Sequence, residues 1–259
     1  MMQVALFSAN AVPRFHEGLL SPAKQNRCSS CSLHHMCLTT GLGDSDMNRL
    51  DHIIVRRRVP RGTSLYRMGE AFTNLYAIRV GHFKTHQLSA DGAEQITGFQ
   101  MAGDLLGMDA ISTDHHHSYA VALEDSEVCE IPFSRLEKLF SEIPALLHHF
   151  HRTMSREITR DQSAMLLLGN MLAEQRFAAF IVNLASRYKA RNYSSISFQL
   201  RMSREDIGNY LGLTIESVSR LLSRFRKQGW LEVDKREVKI LDPAILKGMA
   251  SGLENCSPM

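Results

Sequence analysis

Residues 202–230 read Met202-Ser-Arg-Glu-Asp-Ile-Gly-Asn-Tyr-Leu-Gly-Leu-Thr-Ile-Glu-Ser-Val-Ser-Arg-Leu-Leu-Ser-Arg-Phe-Arg-Lys-Gln-Gly-Trp230. Ser203 followed three residues on by Asp206 is an N-cap signature. Ile207, Tyr210 and Leu211 give the ensuing helix an apolar face, and Gly212 ends it, because a tight turn between helices calls for a residue tolerant of positive φ. Gly208 leaves room for a second helix to approach. Thr214 caps that helix, Val218, Leu221, Leu222 and Phe225 form its inner stripe, and Gly229 stops it. Residues 231–240 then alternate around a charged turn, as a two-stranded wing does. The stretch predicts a winged helix-turn-helix.

The outer side of the second helix carries Glu216, Ser219, Arg220, Arg224 and Lys227. In this motif the N-terminal part of the second helix meets base edges in the major groove. Arg220 can grip guanine O6 and N7 with two hydrogen bonds, and Glu216 can accept from cytosine N4. Four residues apart, each can hold the other in place. Charge agrees: residues 1–175 hold 16 Lys+Arg against 19 Asp+Glu, net −3, whereas residues 176–240 hold 13 against 6, net +7. A basic segment behind a mildly acidic body expects an anionic partner, here double-stranded DNA. A solvated ion pair on an ordinary helical hairpin is the plainer alternative; capping, glycine spacing, wing and charge together favour DNA.

Upstream, residues 192–195 read as a loop and Asn170 to Ala190 as an amphipathic helix with Phe177, Phe180, Ile181 and Leu184 on one face. Ile143-Pro144 opens a longer helix, with proline near its first turn. Leu147, His151, Met154, Ile158, Asp161, Met165, Leu168 and Leu172 recur at alternating spacings of four and three, a heptad seam that predicts a homodimer rather than a helix packed only on its own domain. Asp161 is the odd member. Two such carboxylates facing each other repel and lose water, which makes association marginal and a plausible switch. Phe133 to Phe140 is a shorter helix. From about Asp51 to Pro132 short apolar runs are broken by turns at Pro60-Arg-Gly62, Gly69, Gly81 and Ala90-Asp91-Gly92, the spacing of an antiparallel roll or barrel.

The length of 259 residues suits one large or two small domains, and 44% hydrophobic with 22% charged residues excludes wholesale disorder. No charge-free stretch reaches the roughly 18 residues of a membrane helix. The opening residues 1–13 carry no positive charge ahead of their apolar run, so no secretory signal is read and the cytoplasm is expected. There, cysteines serve as ligands or reactive groups rather than disulfides. Three of the five crowd into Cys28-Ser-Ser-Cys31-Ser-Leu-His-His-Met-Cys37, which reads as a loop. Three thiolates complete neither a tetrahedral zinc site nor a four-cysteine cluster. Cys129 is the natural fourth, if a strand returns it to the loop; Cys256 lies in a polar tail, and His34 or His35 could complete a zinc site instead. Spacing leaves zinc, iron–sulfur and no metal all open.

Taken together, these residues resemble the fumarate-and-nitrate-reduction regulators, the oxygen-sensing branch of the family that contains the cyclic-AMP receptor protein. The resemblance runs from Cys28 to about Leu246. It rests on Cys28-x2-Cys31-x5-Cys37, Glu94-Gln-Ile-Thr-Gly-Phe99, Ala102-Gly-Asp-Leu-Leu-Gly107, Val128-Cys-Glu-Ile-Pro132, Ile207-Gly-Asn-Tyr-Leu-Gly-Leu213 and Glu216-Ser-Val-Ser-Arg-Leu221. The resemblance implies a [4Fe–4S] cluster on Cys28, Cys31, Cys37 and Cys129, which oxygen converts to a smaller one. It implies that the intact form is a homodimer, binds a palindrome with TTGAT half-sites and touches RNA polymerase. It further implies base reading by Glu216, Ser219 and Arg220 and a dimer switch at Ile158 and Asp161. The chain departs from the family pattern at Ala93, an acidic position of the polymerase-contacting loop that Asp91 and Glu94 flank. It departs again at Ser29 and Ser30, where some relatives carry an acidic residue.

The expected architecture is α+β: an N-terminal cluster-binding segment (1–45), an antiparallel β-roll sensor domain (46–140), a long dimerisation helix (141–169), a C-terminal winged helix-turn-helix (170–248) and a tail (249–259). Two rivals are weaker. A cyclic-nucleotide regulator on the same fold needs a cation for the cyclic phosphate. No arginine occurs between Arg79 and Arg135, and the expected stretch reads Asp114-His-His-His-Ser-Tyr119, so no cyclic nucleotide is expected. An iron–sulfur DNA-repair enzyme would carry a further cysteine upstream, where this chain has Ser21, and no nucleophile and base stand at readable spacing. A regulator, not an enzyme, is expected.

Overall fold

The computed structural model describes residues 28–251. The opening segment, Ser21 and Cys256 lie outside the described residues. After a short first helix come eight strands among the described residues: β1 (Val55–Val59), β2 (Ser64–Tyr66), β3 (Asn74–Val80), β4 (His82–Leu88), β5 (Glu94–Met101), β6 (Leu105–Leu106), β7 (Tyr119–Ala122) and β8 (Ser126–Pro132). They form two antiparallel sheets in the orders β1-β8-β3-β6 and β2-β7-β4-β5. Phe83, Ile78, Tyr76, Tyr66 and Val128 fill the space between them. This is the predicted roll.

Strand β3 shows why the first sheet is buried on both faces. Side chains alternate along a strand. Tyr76 and Ile78 face the roll interior, while Leu75 and Ala77 join an outer cluster with Leu38, Leu50, Ile131, Leu136, Leu146 and Phe150. That outer cluster is covered by residues 28–42, by α1 (Asp44–Asp51), by α2 (Phe133–Glu142) and by the first turns of α3 (Pro144–Asn170). The sequence reading passed over β1, β2 and β6. β1 reads Val-Arg-Arg-Arg-Val, three cations on an edge strand. Charged edges deter pairing with other chains but hide the apolar period.

The C-terminal module holds α4 (Ala173–Ala190), β9 (Ser197–Gln199), α5 (Arg204–Leu211), α6 (Ile215–Lys227), β10 (Leu231–Asp234), β11 (Glu237–Ile240) and α7 (Pro243–Ala250). The wing has a third strand, in the order β10-β11-β9. The expected helix from Asn170 begins at Ala173 instead, because Met171 and Leu172 are extended and break it from α3. α7 was not anticipated, although Asp242 caps it and Pro243 opens it, a readable start. Phe177, Ile181, Ile207, Val218, Phe225 and Leu246 form the module's core, and Ile96, Phe99 and Met101 of β5 join the same cluster. The module is therefore docked on the roll.

Candidate functional site

Cys129 lies on β8, the strand hydrogen-bonded between β1 and β3, and pairs in register with Arg56 on one side and Ala77 on the other. Its neighbour Val128 faces the roll interior, so Cys129 faces the outer cluster. There it meets the N-terminal segment, which starts with a single 3-10 turn at Cys28–Ser30 and continues in turns. Cys28, Cys31, Cys37 and Cys129 line one small cavity, whose other walls include Leu33, Leu38, Ile54, Ile78 and Ile131. All four are free cysteines. The structure thus brings together the four cysteines singled out in the sequence. Among the described residues no three His, Cys, Asp or Glu side chains are grouped so as to hold one metal ion.

Burial favours the neutral thiol at Cys28, Cys37 and Cys129. Burial raises the Cys28 thiol, and Asp51 adds to the rise by hydrogen bond and by charge. Burial pushes Cys37 up to about 12. Burial raises Cys129 too, against the nearby charges of Arg56 and Arg79. A cationic centre reverses that preference, because coordination deprotonates a thiol outright. Asp51 also accepts the Cys28 backbone N–H at 3.1 Å, and Arg79 is paired with Glu127 at 2.6 Å. Sequence reading missed Asp51, Arg56 and Arg79, since only strand register and the α1 packing bring them to the thiols.

The helix-turn-helix forms as its residues dictate. The Ser203 hydroxyl accepts the Asp206 N–H at 3.0 Å, and the Asp206 carboxylate accepts the Ser203 N–H at 2.9 Å. Gly212 takes φ +63, and a Cβ on Gly208 would stand 2.6 Å from the Leu213 carbonyl oxygen. Thr214 accepts the Ser217 N–H at 3.2 Å. Val218, Leu221, Leu222 and Phe225 are buried, which leaves Glu216, Arg220 and Arg224 exposed and Ser219 half-buried on α6. Two details differ from expectation. Arg220 donates to the Ser217 hydroxyl at 3.3 Å rather than gripping Glu216, and Arg224 is ion-paired with Glu174 at the start of α4. Ser219 accepts from Arg204 at 3.3 Å. The Glu216 carboxyl is held below its usual range by its own backbone amide, the Thr214 hydroxyl and the Arg220 charge.

The seam on α3 divides in two. Leu147 and Met154 are half-buried, and Met154 packs on the outer cluster beside Leu146 and Phe150. His151 is exposed. Farther along, Ile158 is 56% exposed, Met165 73% and Leu172 74%, and Asp161 stands among them in the open. Partial desolvation beside the helix nonetheless raises the Asp161 carboxyl, against the charge of Arg160. Between this half of α3 and the roll lies a cavity of about 610 Å³, bordered by Tyr66, Gln100, Asp109, Glu157 and Asp161. Among the described residues no Lys, Arg or His lines it.

Comparisons place this geometry among known proteins. A model described as "Crp-like helix-turn-helix domain" matches residues 175–249, and one described as "Cyclic nucleotide-binding domain" matches residues 56–142. The chain is 45% identical over 230 residues to the Transcriptional regulatory protein btr of Bordetella pertussis, covering 88% of this chain and 95% of that one. It is 45% identical over 229 residues to the Fumarate and nitrate reduction regulatory protein of Escherichia coli K12, covering 88% and 92%. The chain belongs to the Crp/FNR family of transcriptional regulators. Its fold is also similar to the solved structure of FixK2 from Bradyrhizobium japonicum, with a TM-score of 0.70 and 29% identity over 76% of this chain and 97% of that one. In Crp/FNR terms the first match spans α4 to α7, and the second spans β1 to α2. Cys28, Cys31 and Cys37 lie outside both matched ranges and Cys129 inside the second. No helix among the described residues is long and apolar enough to cross a membrane.

Proposed function

We propose that this regulator senses oxygen through a [4Fe–4S] cluster held by Cys28, Cys31, Cys37 and Cys129, and that the cluster-bearing form pairs through α3 and binds palindromic DNA. The observation that carries the reading is the meeting of Cys129 with three cysteines 92 or more residues upstream in one apolar-walled cavity. The donor set fits the group. Four thiols line one cavity, and four cysteine thiolates are the ligand set of a [4Fe–4S] cluster. Arg56 and Arg79 stand beside Cys129 to offset the negative charge of a thiolate-bound cluster. When bound, the cluster supplies reactivity toward oxygen.

The chain's own residues do the rest. Cys28 and Cys37 tie the N-terminal segment to the sheet, and that segment shares its apolar cluster with Leu146 and Phe150 of α3. Order in the segment thus bears directly on the start of α3. The far half of α3 offers Ile158, Met165 and Leu168 to a second copy, with Asp161 as the repulsive element that keeps pairing marginal. In the dimer, Glu216, Ser219 and Arg220 read base edges of TTGAT-type half-sites and Arg224 contributes from the same face. The turn between β4 and β5 carries Asp91, Ala93 and Glu94 toward RNA polymerase. A cyclic nucleotide is not the effector on this reading, because the cavity between α3 and the roll offers acids and amides but no cation for a phosphate. The cytoplasm is the compartment this reading requires.

The test is an absorption spectrum of protein purified without oxygen, with iron and acid-labile sulfide measured on the same sample. About four of each per chain, with a broad visible band that bleaches in air, is expected. Zinc, or no metal, would leave a DNA-binding regulator with a different signal, such as thiol oxidation.

A further inference from the structure

α3 and α4 do not form one rod. Met171 and Leu172 between them are extended, so the backbone alone leaves the angle between the dimerisation helix and the DNA-reading module open. One carboxylate is shared across that joint. Asp104, in the turn between β5 and β6, has a side chain only 17% exposed. Its Oδ2 accepts from Arg187 Nη2 at 2.5 Å and from the Met101 N–H at 2.9 Å, and its Oδ1 accepts from Arg191 Nη2 at 2.6 Å. Arg160 Nη1 lies 3.9 Å from Oδ2, a charge contact rather than a hydrogen bond, while its Nη2 pairs with Glu157 on the same helix. Arg160 belongs to α3, Arg187 to α4, and Arg191 follows α4 directly. The same arginines reach the roll's backbone: Arg187 Nη1 donates to the Phe99 carbonyl at 2.7 Å and Arg191 Nε to the Ala102 carbonyl at 2.5 Å.

Roll, dimerisation helix and DNA-reading module therefore meet at a single charge. Phe99 also packs on Phe180 and Tyr210, with ring centroids 6.1 Å and 5.2 Å away. That contact supplies adhesion, but apolar attraction has no direction. Two guanidiniums, each donating to a different oxygen of one carboxylate and to a backbone carbonyl of the roll, constrain both distance and angle.

We infer that Asp104 is a positioning residue that sets DNA specificity: with Arg160, Arg187 and Arg191 it fixes the angle of α6 to α3, and hence the half-site spacing the dimer accepts. The inference rests on the dimeric reading above. Two α6 helices related by the α3 seam must enter major grooves about one helical turn, roughly 34–36 Å, apart. Inserting one base pair shifts a half-site by about 3.4 Å along the axis and about a tenth of a turn around it. A module clamped at Asp104 cannot follow that shift. A module freed at Asp104 keeps its ties to the second sheet, Asn209 to the Ile96 N–H at 2.6 Å and Lys84 to Asp206 at 2.9 Å, but loses the one that also reaches toward α3, and can follow further.

The experiment compares cluster-loaded, full-length wild type with Asp104→Asn. Each is titrated with palindromic duplexes at native spacing and with one base pair inserted or removed. Iron content and sedimentation are measured on the same samples. Asparagine keeps the shape and an acceptor but removes the charge that gathers the arginines. Wild type is expected to prefer native spacing by about tenfold or more, and the variant to lose most of that preference with iron and dimer fraction unchanged. An unchanged preference overturns the inference. So does a loss that tracks a fall in iron or dimer, which would mark a general structural role. If wild type itself ignores spacing, the dimeric reading fails first and this inference goes with it. Should Asp104→Asn not fold, Arg160→Gln leaves the two closest arginines in place and carries the same test, with a smaller relaxation expected.

Discussion

The DNA-reading face and the thiol cavity are built in opposite ways. The first lies within one contiguous stretch from Ser203 to Lys227, whose caps, glycine turn and apolar stripe are all local. The second is split between residues 28–37 and Cys129, and exists only because β8 pairs with both β1 and β3. The difference separates two kinds of fragility. A local motif survives damage elsewhere in the chain, whereas a site assembled across a sheet depends on strand register, and a one-residue slip of a strand turns every side chain to the other face. Such a site also shares its apolar core with the start of α3.

Breaking the assembled site should have the largest effect. Cys129→Ala is expected to abolish cluster binding outright, measured as iron and sulfide per chain, while Cys256→Ala retains both. Equal iron loss in the two would refute the ligand choice. The same Cys129→Ala protein should keep its fold and its weak, sequence-independent DNA binding, because the helix-turn-helix does not depend on the thiols; its melting by circular dichroism checks this.

Damage to the local motif should be graded instead. Arg220→Ala is expected to cost about 1–3 kcal/mol at the cognate site and to relax base preference there. Competition between cognate and mismatched duplexes reads this directly, and an unaltered ratio would count against base reading by α6.

The joint between the two regions answers to acid. Burial alone would raise the Asp104 carboxyl, but Arg187, Arg191 and Arg160 overcome it and hold the group at about 2. An unfolded aspartate titrates near 3.9. A depressed carboxylate contributes stability that is complete above about pH 4 and is lost as pH falls through about 2, amounting to about 2–3 kcal/mol. Urea unfolding at stepped pH should show that loss in wild type and a shallower one in Asp104→Asn; parallel profiles would remove Asp104 from the joint. Smallest of all, Asp161→Ala is expected to raise the dimer fraction of cluster-free protein. Sedimentation of that variant wholly as monomer would take the seam carboxylate out of the switch.

Legibility follows the same division. α5, the turn and α6 could be read because Ser203, Gly208, Gly212 and Thr214 act on neighbours within a few residues. The α3 seam could be read because its period lies in the chain itself, and its uncovered half still shows Ile158 and Met165. The break at Met171–Leu172 was hidden, since neither residue forbids a helix. The pairing of Arg224 with Glu174 was hidden as well, since 50 residues separate them. For Cys129, the sequence could single out a fourth thiol but could not bring it to the other three.

The sequence by itself determined the two helices that would face DNA, their caps and the heptad seam, because each follows from short-range hydrogen bonding or from helical periodicity. Only the tertiary structure decided which wall the four thiols share, which arginines stand beside them, and that Asp104 gathers Arg160, Arg187 and Arg191. Those placements depend on strand register and on the docking of one module upon another. No local preference encodes them, because the residues concerned meet only after the sheets have closed.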